Sequence, residues 1–326
     1  MAAEFTILGA GVAGLAMATE LTARGAKVQM IDPAGAPGDH ACSWWAGGML
    51  APECEGALTE PAIVHHGRAA ADWWEGHGAQ VIRNGTLVVA LGRDTSELRM
   101  FQRRVPAAEG LDASQIADLE PDLEGRFRQG LYLRNEAHLD PRATLAHLHG
   151  QLSGTGTVIC SDASVKGTLI DCRGLSARTE LPDLRGVKGE MVVVRCPDVT
   201  LTRPVRLLHP RFPLYIVPRE GSVFMLGATQ IESGERGRAT VRSVMELLNA
   251  AYALHPAFGE AELLEIGVDA RPAFPDNQPR IRRTADRIYA NGLFRHGFLL
   301  APTLARMTTK LLLDGQDPED WYEDHR

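Results

Sequence analysis

The stretch Phe5-Thr6-Ile7-Leu8-Gly9-Ala10-Gly11-Val12-Ala13-Gly14 decides the fold of this chain. Its apolar start predicts a buried strand. The glycines that follow have the spacing Gly-x-Gly-x-x-Gly, which is typical of a tight turn that opens a helix in a nucleotide-binding βαβ unit. Gly9 permits the turn, Gly11 removes a side chain where a pyrophosphate must approach the backbone, and Gly14 lets the helix pack closely on the strand.

The same pattern continues into the next two elements. We predict a helix over about 12–23, whose first residues, Val12 and Ala13, face the phosphates with amides that have no partner in the helix. The run Lys27–Ile31 predicts a second strand that ends at Asp32, where a carboxylate accepts a hydrogen bond from a ribose hydroxyl and disfavours a 2′-phosphate. This order favours a dinucleotide site over a βαβ unit that binds nothing, but it does not distinguish NAD from FAD.

The composition indicates a soluble globular protein. The 326 residues, 44% of them hydrophobic, suffice for a large core in two domains or in one elaborate domain. With a net charge of −7 and scattered Lys and Arg, the chain has no basic patch that would indicate a nucleic-acid partner. No stretch approaches the roughly twenty apolar residues of a membrane span. Five cysteines without CxxC spacing argue against a disulfide framework or a metal site and predict a reducing, cytoplasmic location.

Glycine and proline divide the rest of the chain into a predicted series of helices and strands. From about Lys188 to Gly227 the pattern changes to short strands separated by turns, which is typical of an antiparallel sheet. A parallel-type strand then returns near the end, so we predict a second domain inserted into the first. The predicted helices cover about 60–77, 94–109, 141–152, 240–254 and 302–313, and the predicted strands about 84–91, 130–134, 169–174, 190–195, 214–218, 223–227 and 287–292.

Four later segments carry a family resemblance. In chain order they are Ser43–Pro52, Tyr215–Arg219, Asp269–Pro272 and Gly292–Pro302. Together with the opening glycines, this series resembles the D-amino-acid oxidase superfamily of FAD-dependent oxidoreductases. Within that superfamily it most resembles the glycine oxidases of thiamin (thiazole) synthesis. The matches extend over most of the chain.

The resemblance implies an α/β fold of the glutathione-reductase and D-amino-acid-oxidase type. A Rossmann-like FAD-binding domain, made of 1–78, 140–184 and 263–326, is expected to carry an inserted antiparallel-sheet substrate-binding domain, made of 79–139 and 185–262. Either a monomer or a homo-oligomer is compatible with the sequence.

The resemblance also implies FAD, held without a covalent bond. Small residues in the matching flavin loop would let backbone amides approach the ring, and the amides at the start of the last helix would stabilise negative charge on the reduced flavin. Arg173 stands where the family usually has a small residue. The residues expected to contact FAD are Gly9, Gly11, Val12, Ala13, Gly14, Asp32, Ser43, Ala46, Gly47, Gly48, Met49, Gly174, Arg295, His296, Gly297, Phe298 and Leu299.

The resemblance places Tyr215, Arg271 and Arg295 at the substrate. The planar guanidinium of Arg271 can hold an α-carboxylate in a bidentate pair, and Tyr215 can donate its hydroxyl. Arg295 can contact the substrate or the flavin-side loop. No side-chain acid or base is required, because the neutral amine form of glycine or another small amino acid transfers a hydride from Cα to flavin N5. Molecular oxygen is the expected acceptor, giving hydrogen peroxide, and the imino acid is expected to supply thiazole synthesis.

Three other functions stay open at this point. A D-amino-acid or sarcosine-type dehydrogenase of the same fold would pass its electrons to a quinone or a carrier instead of oxygen. An NAD-dependent dehydrogenase would share the opening fingerprint, but the purified protein would be colourless. A catalytically silent flavin-binding protein would have no need of a carboxylate clamp such as Arg271 with Tyr215.

Overall fold

The computed structural model of this chain describes residues 3–209 and 213–326. Its strands, numbered in chain order, are β1 (Glu4–Leu8), β2 (Lys27–Ile31), β3 (Met49–Leu50), β4 (Val81–Ile82), β5 (Thr86–Ala90), β6 (Glu109–Asp112), β7 (Gln129–Leu133), β8 (Ala137–Leu139), β9 (Val158–Cys160), β10 (Thr168–Asp171), β11 (Arg185–Arg195), β12 (Val205–Leu208), β13 (Leu214–Arg219), β14 (Val223–Gly227), β15 (Ile231–Glu232), β16 (Glu262–Ala273), β17 (Arg280–Arg283), β18 (Arg287–Asn291) and β19 (Tyr322–Asp324).

The helices are α1 (Val12–Ala23), α2 (Pro52–Glu55), α3 (Pro61–Gly67), α4 (Ala70–Gly76), α5 (Thr95–Arg104), α6 (Ala113–Leu119), α7 (Pro141–Gly154), α8 (Val241–Leu254) and α9 (Gly297–Asp314). The predicted helix over 12–23 and the predicted strand Lys27–Ile31 are confirmed.

The first sheet carries the opening fingerprint. Its strand order is β19-β17-β18-β10-β1-β2-β9, and β1 pairs in parallel with both β2 and β10. Phe5 and Ile7 of β1 share one apolar core with Leu15 of α1 and Leu304 of α9, because both helices pack against this sheet. The carboxyl ends of β1 and β2 therefore open at one edge of the sheet, beside the N-terminus of α1.

The second sheet is mostly antiparallel and has two different faces. Its strand order is β15-β11-β14-β13-β12-β5-β7-β6, and β16 pairs with the remaining edge of β11. Val192, Ile216 and Leu226 point to one face, where they pack against Leu247 of α8. Since side chains alternate along a strand, the neighbouring residues of these strands point to the opposite face. That face borders the cavity described below.

The α/β class, with a parallel-centred sheet and a separate antiparallel sheet, is confirmed. A small third sheet, β3-β8-β4, joins a strand from the predicted FAD-binding segment 1–78 to two strands from the predicted substrate-binding segment 79–139. The predicted boundary at 262 coincides with the start of β16, which pairs with β11 along its length. The division of the chain into domains stays a prediction.

The helix predicted over 60–77 is wrong as a single element, because the structure divides it into α3 and α4. The break follows Gly67, where a Cβ would lie 2.8 Å from Cγ of Leu299. The hydroxyl of Thr303 donates to the carbonyl oxygen of His66 at 3.1 Å, so α9 supplies a hydrogen bond at the end of α3. A tertiary contact with α9 therefore accompanies the interruption.

The last helix begins five residues before the predicted start at Pro302, since α9 starts at Gly297. A proline inside a helix removes the hydrogen bond to the carbonyl four residues earlier, which here belongs to Phe298. The indole Nε1 of Trp74 donates to that carbonyl at 2.8 Å. Trp74 thus replaces the missing donor and allows the helix to extend past Pro302.

The helix predicted over 94–109 is shorter in the structure, where α5 ends at Arg104. Val105 precedes Pro106, and a residue before proline is disfavoured in the helical conformation. Glu109, the predicted helix end, begins β6 instead and pairs with Tyr132 of β7.

Candidate functional site

A cavity of about 1050 Å³ lies where the carboxyl ends of β1 and β2 meet the second sheet. Its volume is at the upper end of the range of roughly 300–1,000 Å³ that is usual for ligand pockets. Every residue named above for contact with FAD or the substrate lines this cavity, with the exception of Gly14. The structure therefore brings the predicted site residues together, although their individual contacts with ligands stay predictions.

The glycine turn at the start of α1 has the geometry that the sequence predicts. Gly9 has a φ of +94°, and a Cβ there would lie 2.9 Å from the carbonyl oxygen of Cys172. A Cβ at Gly14 would overlap the carbonyl of Gly9, so Gly14 serves the close packing of helix and turn instead of lining the cavity. At Gly11 the nearest atom to an added Cβ is Ser43 Oγ at 3.5 Å, which leaves the backbone open to a ligand.

Asp32 lies at the end of β2 with its carboxylate facing the same cavity. Its Oδ2 accepts a hydrogen bond of 2.7 Å from the amide of Ala10, and its Oδ1 accepts one of 3.0 Å from the amide of Ala34. These two bonds hold the carboxylate beside the glycine turn. The geometry agrees with a contact to a ribose hydroxyl, which stays a prediction.

The loop that contains Ser43, Gly47 and Gly48 lies between α1 and the second sheet. Ser43 Oγ accepts a hydrogen bond of 3.4 Å from the amide of Val12, and the carbonyl oxygen of Gly47 accepts one of 2.7 Å from Arg219 Nη2. Gly48 has a φ of +70°, and a Cβ there would overlap the carbonyl of Leu139. Small residues are therefore required here by packing.

The N-terminus of α9 faces the cavity next to the N-terminus of α1. A Cβ at Gly297 would lie 3.3 Å from Cγ1 of Val12, so the two helix ends are neighbours. The first amides of a helix have no acceptor within the helix and carry the positive end of its dipole. Two anion-stabilising helix ends thus line one cavity.

Three glycines on the cavity side of the second sheet each make room for one large side chain. A Cβ at Gly189 would overlap the guanidinium of Arg271, and a Cβ at Gly227 would lie 2.7 Å from the hydroxyl of Tyr215. A Cβ at Gly267 would overlap the ring of Trp45. Sequence analysis missed these glycines. Gly189 and Gly267 lie inside β11 and β16, Gly227 ends β14, and glycine in a strand is typical of a close approach to the backbone.

Arg271 and Tyr215 are both placed to donate hydrogen bonds into the cavity. Nη1 of Arg271 donates to the carbonyl oxygen of Thr229 at 3.1 Å, and within residues 3–209 and 213–326 no carboxylate oxygen lies within 4 Å of its guanidinium. Burial raises the pKa of Tyr215, so its hydroxyl keeps its proton near neutral pH. The guanidinium is therefore available to an anionic ligand.

Arg295 is held by Glu55, a residue that sequence analysis did not identify. Glu55 Oε2 lies 2.7 Å from Arg295 Nη2 and 2.9 Å from His296 Nε2, and Glu55 Oε1 lies 3.7 Å from Arg206. Burial opposes ionisation of Glu55, yet Arg295, His296 and Arg206 together hold its pKa well below the usual range. The Glu55 carboxylate therefore fixes Arg295 at the cavity wall.

The segment around Gly174 lies at the other end of the cavity. Gly174 has a φ of +58°, and its carbonyl oxygen accepts a hydrogen bond of 2.9 Å from Asn291 Nδ2. Arg173 also lines the cavity, but its guanidinium pairs with Asp171 at 2.5 Å and with Glu180 at 3.0 Å. These ion pairs neutralise the guanidinium of Arg173 and hold its side chain in one position. The resemblance led us to expect a small residue here.

Two structural findings concern metals and membranes. In the part of the chain that the structure describes, no group of three or more His, Cys, Asp or Glu side chains could hold a metal ion. Among the described helices, none is both long enough and apolar enough to cross a membrane.

The parallel sheet, its glycine turn and a cavity that Arg271 and Tyr215 line on the side of the second sheet are typical of a two-sheet dinucleotide-binding protein. The family model for FAD dependent oxidoreductases (DAO) matches residues 4–311. The chain belongs to this family, and FAD is its cofactor. The cavity fits FAD, because the backbone at Gly11 is open to it and two helix ends line the same space.

Three relatives show how far the similarity extends. A Rhizobium etli protein whose provisional name is thiamine biosynthesis oxidoreductase ThiO is 52% identical over 322 residues, which are 95% of this chain and 97% of that protein. A glycine oxidase from Bacillus licheniformis is 26% identical over 360 residues, covering 97% of this chain and 95% of that protein. The crystal structure of glycine oxidase from Geobacillus kaustophilus matches with a TM-score of 0.81 at 21% identity, over 97% of this chain and 96% of that one, and this likeness shows the fold.

Proposed function

We propose that this chain oxidises glycine or another small amino acid to the imino acid, with molecular oxygen as acceptor, and that the imine supplies thiamin thiazole synthesis. The names of the Rhizobium etli and Bacillus licheniformis relatives support this substrate class and this pathway. The observation that carries the proposal is the guanidinium of Arg271, which faces the cavity without a carboxylate partner among the described residues.

Arg271 binds the α-carboxylate of the substrate. A buried or half-buried arginine needs an anionic partner, and its planar fork matches a carboxylate in a bidentate pair. Gly189 gives the guanidinium its place against β11, and the carbonyl of Thr229 occupies one of its donors. Within the described parts of the chain its other donors have no acceptor, and they are available to the substrate.

Tyr215 donates its hydroxyl to the same carboxylate. Its ring lies between Gly47 and Gly227, where an added Cβ would approach it to 2.9 Å and 2.7 Å respectively. The ring is therefore restricted to one position, which orients the substrate for reaction.

The residues of this chain hold FAD at the two helix ends and at the loop between them. When bound, FAD supplies the oxidising power: the amino acid loses a hydride from Cα and a proton from its amine, and molecular oxygen takes up the electron pair with two protons to give hydrogen peroxide. The α9 amides contribute by stabilising negative charge at the cavity wall without donating a proton. FAD is held without a covalent bond in this proposal.

The titratable groups at the cavity support a mechanism without a side-chain base. Glu55 has a lowered pKa and is bound to Arg295 and His296, so it is a poor proton acceptor. Burial raises the pKa of Cys42 to about 12, and burial also raises the pKa of Tyr215. These three groups are therefore poor bases, which supports a substrate that binds with its amine already neutral.

An absorbance spectrum of the purified holoprotein tests the proposal. Glycine, sarcosine and D-alanine are added in turn without oxygen, and bleaching of the flavin bands identifies each substrate. Recovery of the bands in air, with one hydrogen peroxide for each imine, supports an oxidase. Recovery that requires a quinone or a carrier protein contradicts the oxygen step, and an absence of bleaching with all three compounds contradicts the proposed substrate class.

A further inference from the structure

We propose that Arg206 forms a second anion subsite in the cavity, and that the substrates include amino acids or N-substituted glycines with a second carboxylate. This inference rests on the proposed function, since it assigns the first carboxylate to Arg271. Sequence analysis did not identify Arg206.

Arg206 lies on the same face of the second sheet as Tyr215. The two residues are directly opposite in the antiparallel register of β12 and β13, and residues so paired have neighbouring side chains. Arg206 lines the main cavity and also a second cavity of about 450 Å³. Phe294 and Arg295 line both cavities as well, so Arg206 stands at the wall between them.

Most other arginines at the main cavity are engaged by a carboxylate at short distance. Arg295 pairs with Glu55 at 2.7 Å, and Arg236 pairs with Asp269 at 2.5 Å. Arg206 differs, because its one ion-pair partner among the described residues is Glu55 Oε1 at 3.7 Å. The guanidinium of Arg206 is thus held less closely than those of Arg295 and Arg236, although, unlike Arg271, it has one carboxylate within 4 Å.

The groups around Arg206 do not supply a full countercharge. Glu55 is shared with Arg295 and His296 through its other oxygen. Burial raises the pKa of the Cys54 thiol well above its usual value, so the thiol is neutral. Glu136 also interacts with Arg206, but burial raises its pKa to about 7 and leaves its carboxyl partly protonated at neutral pH.

The charge count at the cavity therefore favours two substrate carboxylates. Arg206, Arg271 and Arg295 carry three positive charges, and among the described residues Glu55 is the one carboxylate that lies within 4 Å of any of these guanidinium groups. A buried guanidinium without a partner is costly, whereas a carboxylate placed against it forms charge-assisted hydrogen bonds. A substrate with a single carboxylate places a negative charge against the guanidinium of Arg271 but none against that of Arg206. The side chain of Arg206 is 11% exposed, so solvent does little to compensate.

Binding to the holoenzyme tests the subsite without turnover. Perturbation of the flavin spectrum gives dissociation constants for malonate against propionate and for succinate against butyrate, which are pairs of similar size. We expect the wild-type protein to bind at least one diacid about tenfold or more tightly than its monoacid, and Arg206→Gln to lose this preference. Arg242→Gln is the matched control, because Arg242 also lines the cavity but its side chain is 75% exposed.

Steady-state kinetics then locates the second carboxylate. Iminodiacetate is compared with sarcosine, and D-aspartate with D-alanine, as ratios of kcat/KM in the wild type and in Arg206→Gln. A fall of about tenfold or more in the iminodiacetate-to-sarcosine ratio places the second carboxylate on the nitrogen substituent. The same fall in the D-aspartate-to-D-alanine ratio places it on the side chain. Ratios that stay unchanged in both pairs overturn the substrate assignment.

The proposal stays testable if Arg206→Gln does not fold. A wild-type protein that binds neither diacid more tightly than the corresponding monoacid overturns the subsite by itself. Failure of the proposed function gives a different result, because no amino acid would then bleach the flavin even though diacid binding could still be measured.

Discussion

Arg219 Nη2 donates a hydrogen bond of 2.7 Å to the carbonyl oxygen of Gly47 and so ties the loop beside the cavity to β13. The Arg219 side chain is 13% exposed, and its nearest carboxylate among the described residues is Asp140 at 3.5 Å. Since Gly47 also lies against the ring of Tyr215, this bond helps to hold the loop at both the proposed FAD site and the proposed substrate site.

Replacing Arg219 by Gln should weaken FAD binding. Loss of a charged donor to a buried carbonyl costs on the order of 1.5–3 kcal/mol, which corresponds to about tenfold or more in the dissociation constant. Titration of the apoprotein with FAD, followed by flavin fluorescence, measures this constant. Arg195→Gln is the control, because the side chain of Arg195 is 47% exposed and pairs with Glu262 away from the cavity. Equal FAD affinity in both variants would show that the loop does not depend on Arg219.

Arg271→Ala should abolish productive binding of the amino acid and leave the flavin spectrum largely intact. Loss of the partner of a buried carboxylate costs roughly 2–5 kcal/mol. The measurements are the KM for glycine and the absorbance spectrum of the holoprotein. An unchanged KM for glycine contradicts the assignment of Arg271 as the carboxylate clamp.

Gly189→Ala should raise the KM for glycine although Gly189 has no polar side chain to lose. Its added Cβ would overlap the guanidinium of Arg271, which must then move. We expect an increase of about tenfold or more, since the displaced group forms charge-assisted hydrogen bonds. Gly150→Ala in α7 is the control, because nothing lies within 4 Å of an added Cβ there. If both variants keep the wild-type KM, the position of Arg271 does not depend on Gly189.

Glu136→Gln should change how the stability depends on pH. Burial raises the pKa of Glu136 from 4.5 to about 7, so the folded protein holds a proton that the unfolded chain releases between these values. The contribution of Glu136 to the free energy of unfolding therefore falls as pH rises from about 4.5 to about 7. Glutamine keeps an oxygen for the amide of Cys54, which Glu136 Oε1 now accepts at 2.7 Å.

Urea unfolding at pH 5 and at pH 8 measures this effect. The loss of stability between the two pH values should be smaller for Glu136→Gln than for the wild type. An equal loss in the two proteins would mean that Glu136 does not titrate in this range.

Local patterns were sufficient for the start of the chain. The glycine spacing and the apolar runs predicted α1 and β2 at their observed limits. Both signals consist of residues that are close together along the chain, so they can be read without the tertiary structure. The start of α9 could not be predicted in this way. Pro302 is an ordinary signal for a helix start, and the donor that compensates for it belongs to Trp74, far away in the chain.

The sequence by itself determined the dinucleotide fold, the FAD cofactor through its family resemblance, and Arg271 and Tyr215 as candidates for the substrate. Only the tertiary structure revealed Glu55 beside Arg295, Gly189 beneath Arg271 and Arg206 opposite Tyr215. The reason is physical. A glycine turn is encoded in consecutive residues, whereas the register between strands and the charge around a buried arginine depend on segments that meet only when the sheets have formed.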